Sequence, residues 1–144
     1  MRVVNDAVVQ ALGGYERGRM LFLGLGTGLG SALVSEHVIV PMELGDLSHA
    51  TGGTLGERLG RHGLETEGPR EWRKAVARVI PELRDALAAD YVVLGGGNAS
   101  YVRPLPARTR RAASDAAFTG GFRLWEEMVE PHGRAPALTW RVVR

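Results

Sequence analysis

The stretch LFLGLGTGLGSALV, residues 21–34, constrains the fold more than any other part of this 144-residue chain. Its apolar residues predict two strands, over 20–26 and 30–36, with glycine at positions 24, 26, 28 and 30. A dinucleotide-binding Gly-x-Gly-x-x-Gly opens a helix, whereas this run leads into another strand, and no Gly-Lys-Ser/Thr of a Walker loop occurs in the sequence. We therefore predict a β-hairpin whose turn centres on Thr27.

The alternating glycines of this hairpin have two explanations. Backbone N–H groups at Gly26, Thr27 and Gly28 could surround a phosphate, and a Cβ atom at the glycines would keep the anion away. The alternative is a purely structural hairpin, but turn geometry requires only one or two glycines. We favour the phosphate-binding interpretation over the structural one.

Helix and strand signals along the chain predict a single α/β domain. A third strand, over 38–44, completes a three-stranded antiparallel meander with the hairpin. Pro81 should kink or split the longest predicted helix, because proline removes one backbone hydrogen bond and clashes with the preceding turn. The predicted helices cover residues 5–13, 54–60, 70–88 and 115–128.

A second glycine motif follows the buried strand signal YVVLGGGNA, residues 91–99. Its apolar part predicts a parallel strand that opens into Gly95, Gly96 and Gly97 at the carboxyl edge of the sheet, where α/β proteins bind ligands. We assign residues 1–128 to the domain. Residues 129–144 are expected to form an irregular tail with a terminal strand over 138–143.

Two acidic residues lie at the boundaries of predicted helices and strands. Asp6 opens the first helix, whose N-terminus would keep the carboxylate ionised and able to accept a proton, although Asn or Asp at such a position is most often only an N-cap. Glu43 ends the third strand, where it could accept hydrogen bonds from hydroxyl groups or simply be solvated. The spacing of Glu43, Asp46 and His49 also admits a metal site, which we treat as the minor alternative.

The amino-acid composition indicates a cellular compartment and excludes some classes of binding partner. The chain has no cysteine, which excludes disulfides and thiolate metal sites and favours a cytoplasmic location. No apolar run approaches the length of a membrane helix. The net charge is +2, and the one local basic cluster, Arg108, Arg110 and Arg111, has no interleaved aromatic residues. We expect neither a membrane nor a nucleic acid as partner.

Five motifs occur in an order that resembles one known family. NDA, GLGTGLGSAL, PMELG, VVLGGGNA and AFTGGFRLWE, spread over residues 2–128, resemble the carboxyl-terminal lobe of the ROK sugar kinases. The resemblance is strongest to the branch of polyphosphate- or ATP-dependent glucokinases. It implies a single ribonuclease-H-like lobe of the actin-like ATPase and sugar-kinase superfamily, with the phosphoryl donor and Mg²⁺ as cofactors. No zinc is expected, because the cysteine-rich motif of many ROK members is absent.

The resemblance also implies a role for particular residues. Asp6 would take the proton from the primary hydroxyl of glucose or a similar hexose. ROK kinases usually carry histidine at the position of Asp46, so a carboxylate acceptor replaces an imidazole there. The sugar-binding positions would be Asn5, Asp6, Glu43 and Asp46, the donor-phosphate positions Gly26, Thr27 and Gly28, and the nucleotide or polyphosphate positions Gly95, Gly96, Gly97 and Asn98.

The amino-terminal lobe of the ROK kinases, with its Asp-x-Gly-Gly-Thr phosphate loop, has no counterpart in these residues. We therefore expect the chain to be almost inactive alone, and either to work with a separately encoded or swapped amino-terminal lobe or to be a fragment of a longer kinase. We also expect a homo-oligomer, because the apolar face that normally meets the other lobe would need a cover. The alternative is a non-catalytic ROK-like remnant that serves as a binding or dimerisation module.

Overall fold

Within residues 6–113 and 141–143, which the computed structural model describes, six strands form one mixed sheet. The spatial order is β5-β4-β1-β2-β3-β6. The first three strands pair antiparallel as the predicted meander, β4 runs parallel to β1 and β5, and β6 runs parallel to β3. The strands are β1 (Arg19–Leu25), β2 (Leu29–Ser35), β3 (Val38–Met42), β4 (Tyr91–Gly95), β5 (Thr109–Arg111) and β6 (Arg141–Val142).

Helices cover both faces of this sheet. The described helices are α1 (Asp6–Gly14), α2 (Leu55–Leu59) and α3 (Arg61–Ala86), with one-turn 3-10 helices at Leu44–Asp46 and Ala99–Tyr101. Successive residues of a strand point to opposite faces, so Phe22 packs in a cluster with α1 while Leu21 and Leu23 pack in a second cluster with α3. Residues on both faces of β1 and β4 are fully buried, which explains why their sequences are nearly continuous apolar runs.

The helix predicted over 70–88 is the second part of α3, and the break in α3 lies before it rather than at Pro81. The non-helical residue is Gly68, with φ 84° and ψ 162°, just before Pro69. Pro69 then occupies the first turn of the following segment, where a missing N–H costs little. The predicted split at Pro81 is wrong: the backbone remains helical there. The predicted apolar stripe is confirmed, with Trp72, Val76, Val79, Ile80 and Leu83 buried and Leu87 packed against the same cluster.

The short helix predicted over 54–60 is confirmed as α2, which begins with a capping box. Thr54 Oγ1 accepts a hydrogen bond from the Glu57 amide at 3.2 Å, and Glu57 Oε2 accepts one from the Thr54 amide at 2.9 Å. This reciprocal pair fixes where the chain turns from the loop after β3 into the α2–α3 corner.

Several predicted features lie outside the described residues. They include Asn5, the helix over 115–128 and most of the tail over 129–144, so the domain boundary at 128 remains a prediction. The predicted terminal strand is described from Arg141 onward, where β6 pairs with β3. None of the helices in the described part of the chain is both long and apolar enough to span a bilayer.

Candidate functional site

One edge of the sheet brings the sequence motifs together. Because β3 and β4 run in the same direction as β1, all three strands end at this edge. The hairpin tip at 26–28 lies between β1 and β2. The glycine turn, residues 95–98, follows β4, and the Glu43 turn, residues 43–46, follows β3. This is the carboxyl edge of the parallel strands, the usual ligand side of α/β sheets.

The hairpin tip exposes unpaired backbone donors. The Gly26 amide donates to the Gly28 carbonyl at 3.2 Å, but the amides of Thr27 and Gly28 donate to no other described residue. Thr27 and Gly28 are exposed, and a Cβ atom added at Gly26 or Gly28 would meet nothing within 4 Å. The tip therefore offers N–H groups and a hydroxyl to whatever occupies the open space in front of it.

Gly30, the last glycine of the alternating run, has a packing role instead. Gly24 and Gly30 lie opposite each other on β1 and β2. A Cβ atom at Gly30 would lie 3.3 Å from Cβ of Ala7, tighter than an ordinary contact, so this glycine lets α1 approach the sheet. Glycine at position 30 thus allows close helix packing, whereas glycine at positions 26 and 28 leaves the tip open.

The glycine turn after β4 lies directly against the hairpin. The Asn98 amide donates to the Leu25 carbonyl at 3.0 Å, and its side-chain Nδ2 donates to the Gly26 carbonyl at 3.4 Å. Gly96 has φ +83°, and a Cβ atom there would collide with the backbone of Leu25. Gly97 faces open space, so the turn and the hairpin tip form one continuous surface with little side-chain cover.

The corner between α2 and α3 holds the hairpin from its other side. The Arg61 amide donates to the carbonyls of Gly26 at 2.9 Å and Thr27 at 3.2 Å. Gly60 permits this contact, because a Cβ atom there would lie 2.5 Å from the Thr27 carbonyl oxygen and 2.9 Å from Gly28 Cα. Sequence analysis missed both residues; the only sequence signal is the glycine between two helical segments in LGRHG. The exposed Arg61 guanidinium has no hydrogen-bond or ion-pair partner among the described residues.

The Glu43 turn lies beside the second strand of the hairpin. Glu43 and Asp46 are exposed at either end of the turn, and the Asp46 amide donates to the Glu43 carbonyl at 3.1 Å. A Cβ atom on Gly45 would lie 3.0 Å from the Leu29 carbonyl oxygen and 3.6 Å from Gly56 Cα, so the turn is packed tightly between β2 and α2. The Glu43 carboxylate forms no hydrogen bond or ion pair with the part of the chain that the structure describes.

Comparison with known proteins finds relatives of this chain among solved structures. No protein-family model and no curated protein matches the sequence. Among solved structures, an inorganic polyphosphate/ATP-glucomannokinase from Arthrobacter sp. strain KM matches 83% of this chain at 26% identity, with a TM-score of 0.68. A ROK hexokinase from Thermus thermophilus matches 81% at 21% identity with a TM-score of 0.61. A ROK family protein from Streptococcus pneumoniae TIGR4, in complex with sucrose, matches 87% at 14% identity with a TM-score of 0.68.

The fold is that of the ROK-family sugar kinases. The predicted α/β architecture is therefore confirmed, including its relation to the actin-like ATPase fold. The chain spans 54%, 62% and 66% of these three neighbours, so it corresponds to part of each of them.

The first helix of this ROK-type fold begins at the same edge. The structure describes the backbone of Asp6 as the start of α1, and the adjacent Ala7 packs beside Gly30. The start of α1 and the hairpin tip are thus brought to the same edge of the sheet. Asn5 precedes the described residues.

The alternative metal site is not formed. Among residues 6–113 and 141–143, no group of three or more His, Asp or Glu side chains is placed to hold a metal ion, so Glu43, Asp46 and His49 do not converge. His49 Nδ1 lies 2.8 Å from Thr51 Oγ1 within its own loop.

Two arginines of the basic cluster noted in the sequence, Arg110 and Arg111, hold backbone carbonyls of neighbouring segments. The Arg110 guanidinium donates to the Gly14 carbonyl, and Arg111 donates to the carbonyls of Ala99 at 3.2 Å and Val102 at 2.5 Å. These side chains tie β5 to its neighbouring segments. A cleft of about 560 Å³ that includes Arg110 lies at the opposite edge of the sheet from the hairpin tip, and Glu16 pairs with Arg110 there at 3.6 Å.

Proposed function

We propose that the chain is the carboxyl-terminal lobe of a sugar kinase that transfers a phosphoryl group from polyphosphate or ATP to the primary hydroxyl of glucose. The observation that carries this proposal is the open hairpin tip, with two unpaired amides beside a glycine turn, on a ROK-type fold. Two acidic positions, Glu43 after β3 and Asp6 at the start of α1, lie on elements that meet the same sheet edge.

The donor side of this site suits an anion. The N–H groups of Thr27 and Gly28 and the Thr27 hydroxyl would bind phosphate oxygens. The Arg61 amide bonds to the tip, so the exposed Arg61 side chain starts beside it and would add a positive charge for phosphate. Mg²⁺, when bound with the phosphates, would neutralise charge on the transferring phosphoryl group. Magnesium is usually held by phosphates and one or two carboxylates, and the exposed Glu43 carboxylate is one such group at this edge of the sheet.

The acceptor side follows from the ROK resemblance. Asp6 would accept the proton of the attacking hydroxyl, and its position at the start of α1 favours the ionised carboxylate it needs. Glu43 would accept hydrogen bonds from sugar hydroxyls, together with Asn5 and Asp46. The Glu43 carboxylate is consistent with this role, because it forms no hydrogen bond or ion pair with the described residues that sugar binding would have to break.

Full activity would require the part of a ROK kinase that this chain does not match. Phosphoryl transfer depends mainly on positioning, which can supply about 7–11 kcal/mol, whereas a general base contributes about 10²–10⁴-fold. The chain alone should therefore turn over glucose far below the usual kinase range of about 1–100 s⁻¹.

Reconstitution tests this proposal. Adding the amino-terminal lobe of a ROK kinase in trans should produce measurable glucose phosphorylation. Asp6→Asn should lower that rate by about 10²-fold or more, whereas the control Asp85→Asn, on α3, should not. Full activity with Asn at position 6 would refute the role of Asp6. Absence of activity in the reconstituted pair would favour the non-catalytic module instead.

A further inference from the structure

Ser31 is a buried polar residue in an otherwise apolar strand. It lies in β2 opposite Met42 and is 2% exposed. Its hydroxyl donates to the Met42 carbonyl at 2.9 Å and accepts a hydrogen bond from the Leu44 amide at 3.2 Å. A buried hydroxyl is costly unless it is hydrogen-bonded, and here both its donor and an acceptor site are used.

The two partners of Ser31 flank a single residue, Glu43. The chain leaves β3 at Met42 and enters a 3-10 turn at Leu44, so the backbone of Glu43 belongs to neither element. The Ser31 hydroxyl is hydrogen-bonded to the residues on both sides of Glu43. The close approach of Gly45 to the Leu29 carbonyl also restricts the turn. The backbone that aims the exposed Glu43 carboxylate is therefore fixed from the interior of the sheet.

We infer that Ser31 is a positioning residue for sugar binding, which acts by fixing the backbone on both sides of Glu43. This inference rests on the proposed function, in which Glu43 accepts hydrogen bonds from sugar hydroxyls. Ser31 touches no substrate itself. A hydrogen bond to a carboxylate depends steeply on distance and angle, so a small reorientation of Glu43 weakens sugar binding without touching the donor site.

Ser31→Ala in the full chain tests the inference. Glucose and, separately, tripolyphosphate are titrated into the ¹⁵N-labelled protein and followed by NMR. We expect glucose affinity to fall about tenfold, the value of one hydrogen bond to a charged group, while tripolyphosphate affinity changes less than twofold. Ser31→Thr retains the hydroxyl and should restore glucose binding. Ser35→Ala, the same change on the same strand, is the matched control and should leave both affinities unchanged.

The outcomes separate this inference from the proposed function. If the wild-type chain binds glucose and Ser31→Ala binds it equally well, the positioning role is wrong and the proposed function stands. If the wild-type chain shows no glucose binding, the sugar site of the proposed function fails, and the role of Ser31 fails with it. If Ser31→Ala does not fold, Ser31→Cys replaces it, because a thiol fits the same space with weaker hydrogen bonds. Unchanged glucose affinity in a folded Ser31→Cys protein would overturn the inference.

Discussion

Replacing Gly60 with alanine should separate the α2–α3 corner from the hairpin. The added Cβ atom would lie 2.5 Å from the carbonyl oxygens of Gly56 and Thr27 and 2.9 Å from Gly28 Cα. All three are backbone atoms, so no flexible side chain can move aside. The chain must shift, and the bond from the Arg61 amide to the hairpin carbonyls is lost with it.

The structure allows an estimate of this cost. Overpacking a tight site costs about 1–3 kcal/mol, and losing the net contribution of one hydrogen bond adds about 0.5–1.5 kcal/mol. We therefore expect the free energy of unfolding to fall by about 2–4 kcal/mol. An unfolding entropy of about 2.1 cal/mol/K per residue converts this to a drop in Tm of roughly 7–13 °C for a chain of this length.

Calorimetry measures the drop in Tm. Hydrogen exchange of the Arg61 amide shows whether its bond to the hairpin carbonyls is lost. The matched control is Gly28→Ala, because Gly28 lies on the other side of the same contact and its added Cβ would meet nothing within 4 Å. Gly28→Ala should melt at or slightly above the wild-type temperature, since alanine reduces the entropy of the unfolded chain. A Gly60→Ala protein that melts within about 1 °C of wild type, with Arg61 still protected, would refute the reasoning.

Two further predictions concern the glycine turn and the end of α3. Gly96→Ala should destabilise the fold by more than the cost of a left-handed conformation, about 1–2 kcal/mol, because the added Cβ atom also clashes with the Leu25 backbone. Gly97→Ala should be tolerated, because its Cβ atom meets nothing within 4 Å, and thermal melts of the two variants compare them. The Arg84 hydrogen bond at 2.9 Å holds the pKa of Asp85 below its usual range. Stability from this pair is therefore present above pH about 3.9, the unfolded value, and is lost as pH falls through the folded pKa. Arg84→Gln should raise the pKa of Asp85 in an NMR titration; an unchanged pKa would contradict this.

Much of the fold follows from local sequence patterns. The apolar runs of β1 and β2, the glycine-rich turn between them and the helical stripe through Trp72 and Ile80 are each visible within a dozen residues. The error at Pro81 shows the limit of such patterns. Val79 and Ile80 are buried just before the proline, so tertiary packing holds the helix together where local chemistry predicts a break.

The candidate site was only partly predictable for the same reason. Its motifs could be recognised one by one, but the contacts of Gly60 with Thr27, of Ser31 with Leu44 and of Asn98 with Gly26 join segments far apart in sequence. Whether a glycine is open, as at position 28, or packed, as at position 30, depends on which element lies above it. The alternating run gives no sign of that difference.

In the proposed function, the hairpin tip and the glycine turn bind the phosphates of a phosphoryl donor. The most direct test is a titration of tripolyphosphate into the ¹⁵N-labelled chain, with the amide signals followed by NMR. We expect saturable shifts at Thr27, Gly28 and Gly97. These shifts should be lost in Gly28→Val, where the added side chain fills the open space without disturbing the fold. Unperturbed signals at these three amides, or the same affinity in Gly28→Val, would contradict it.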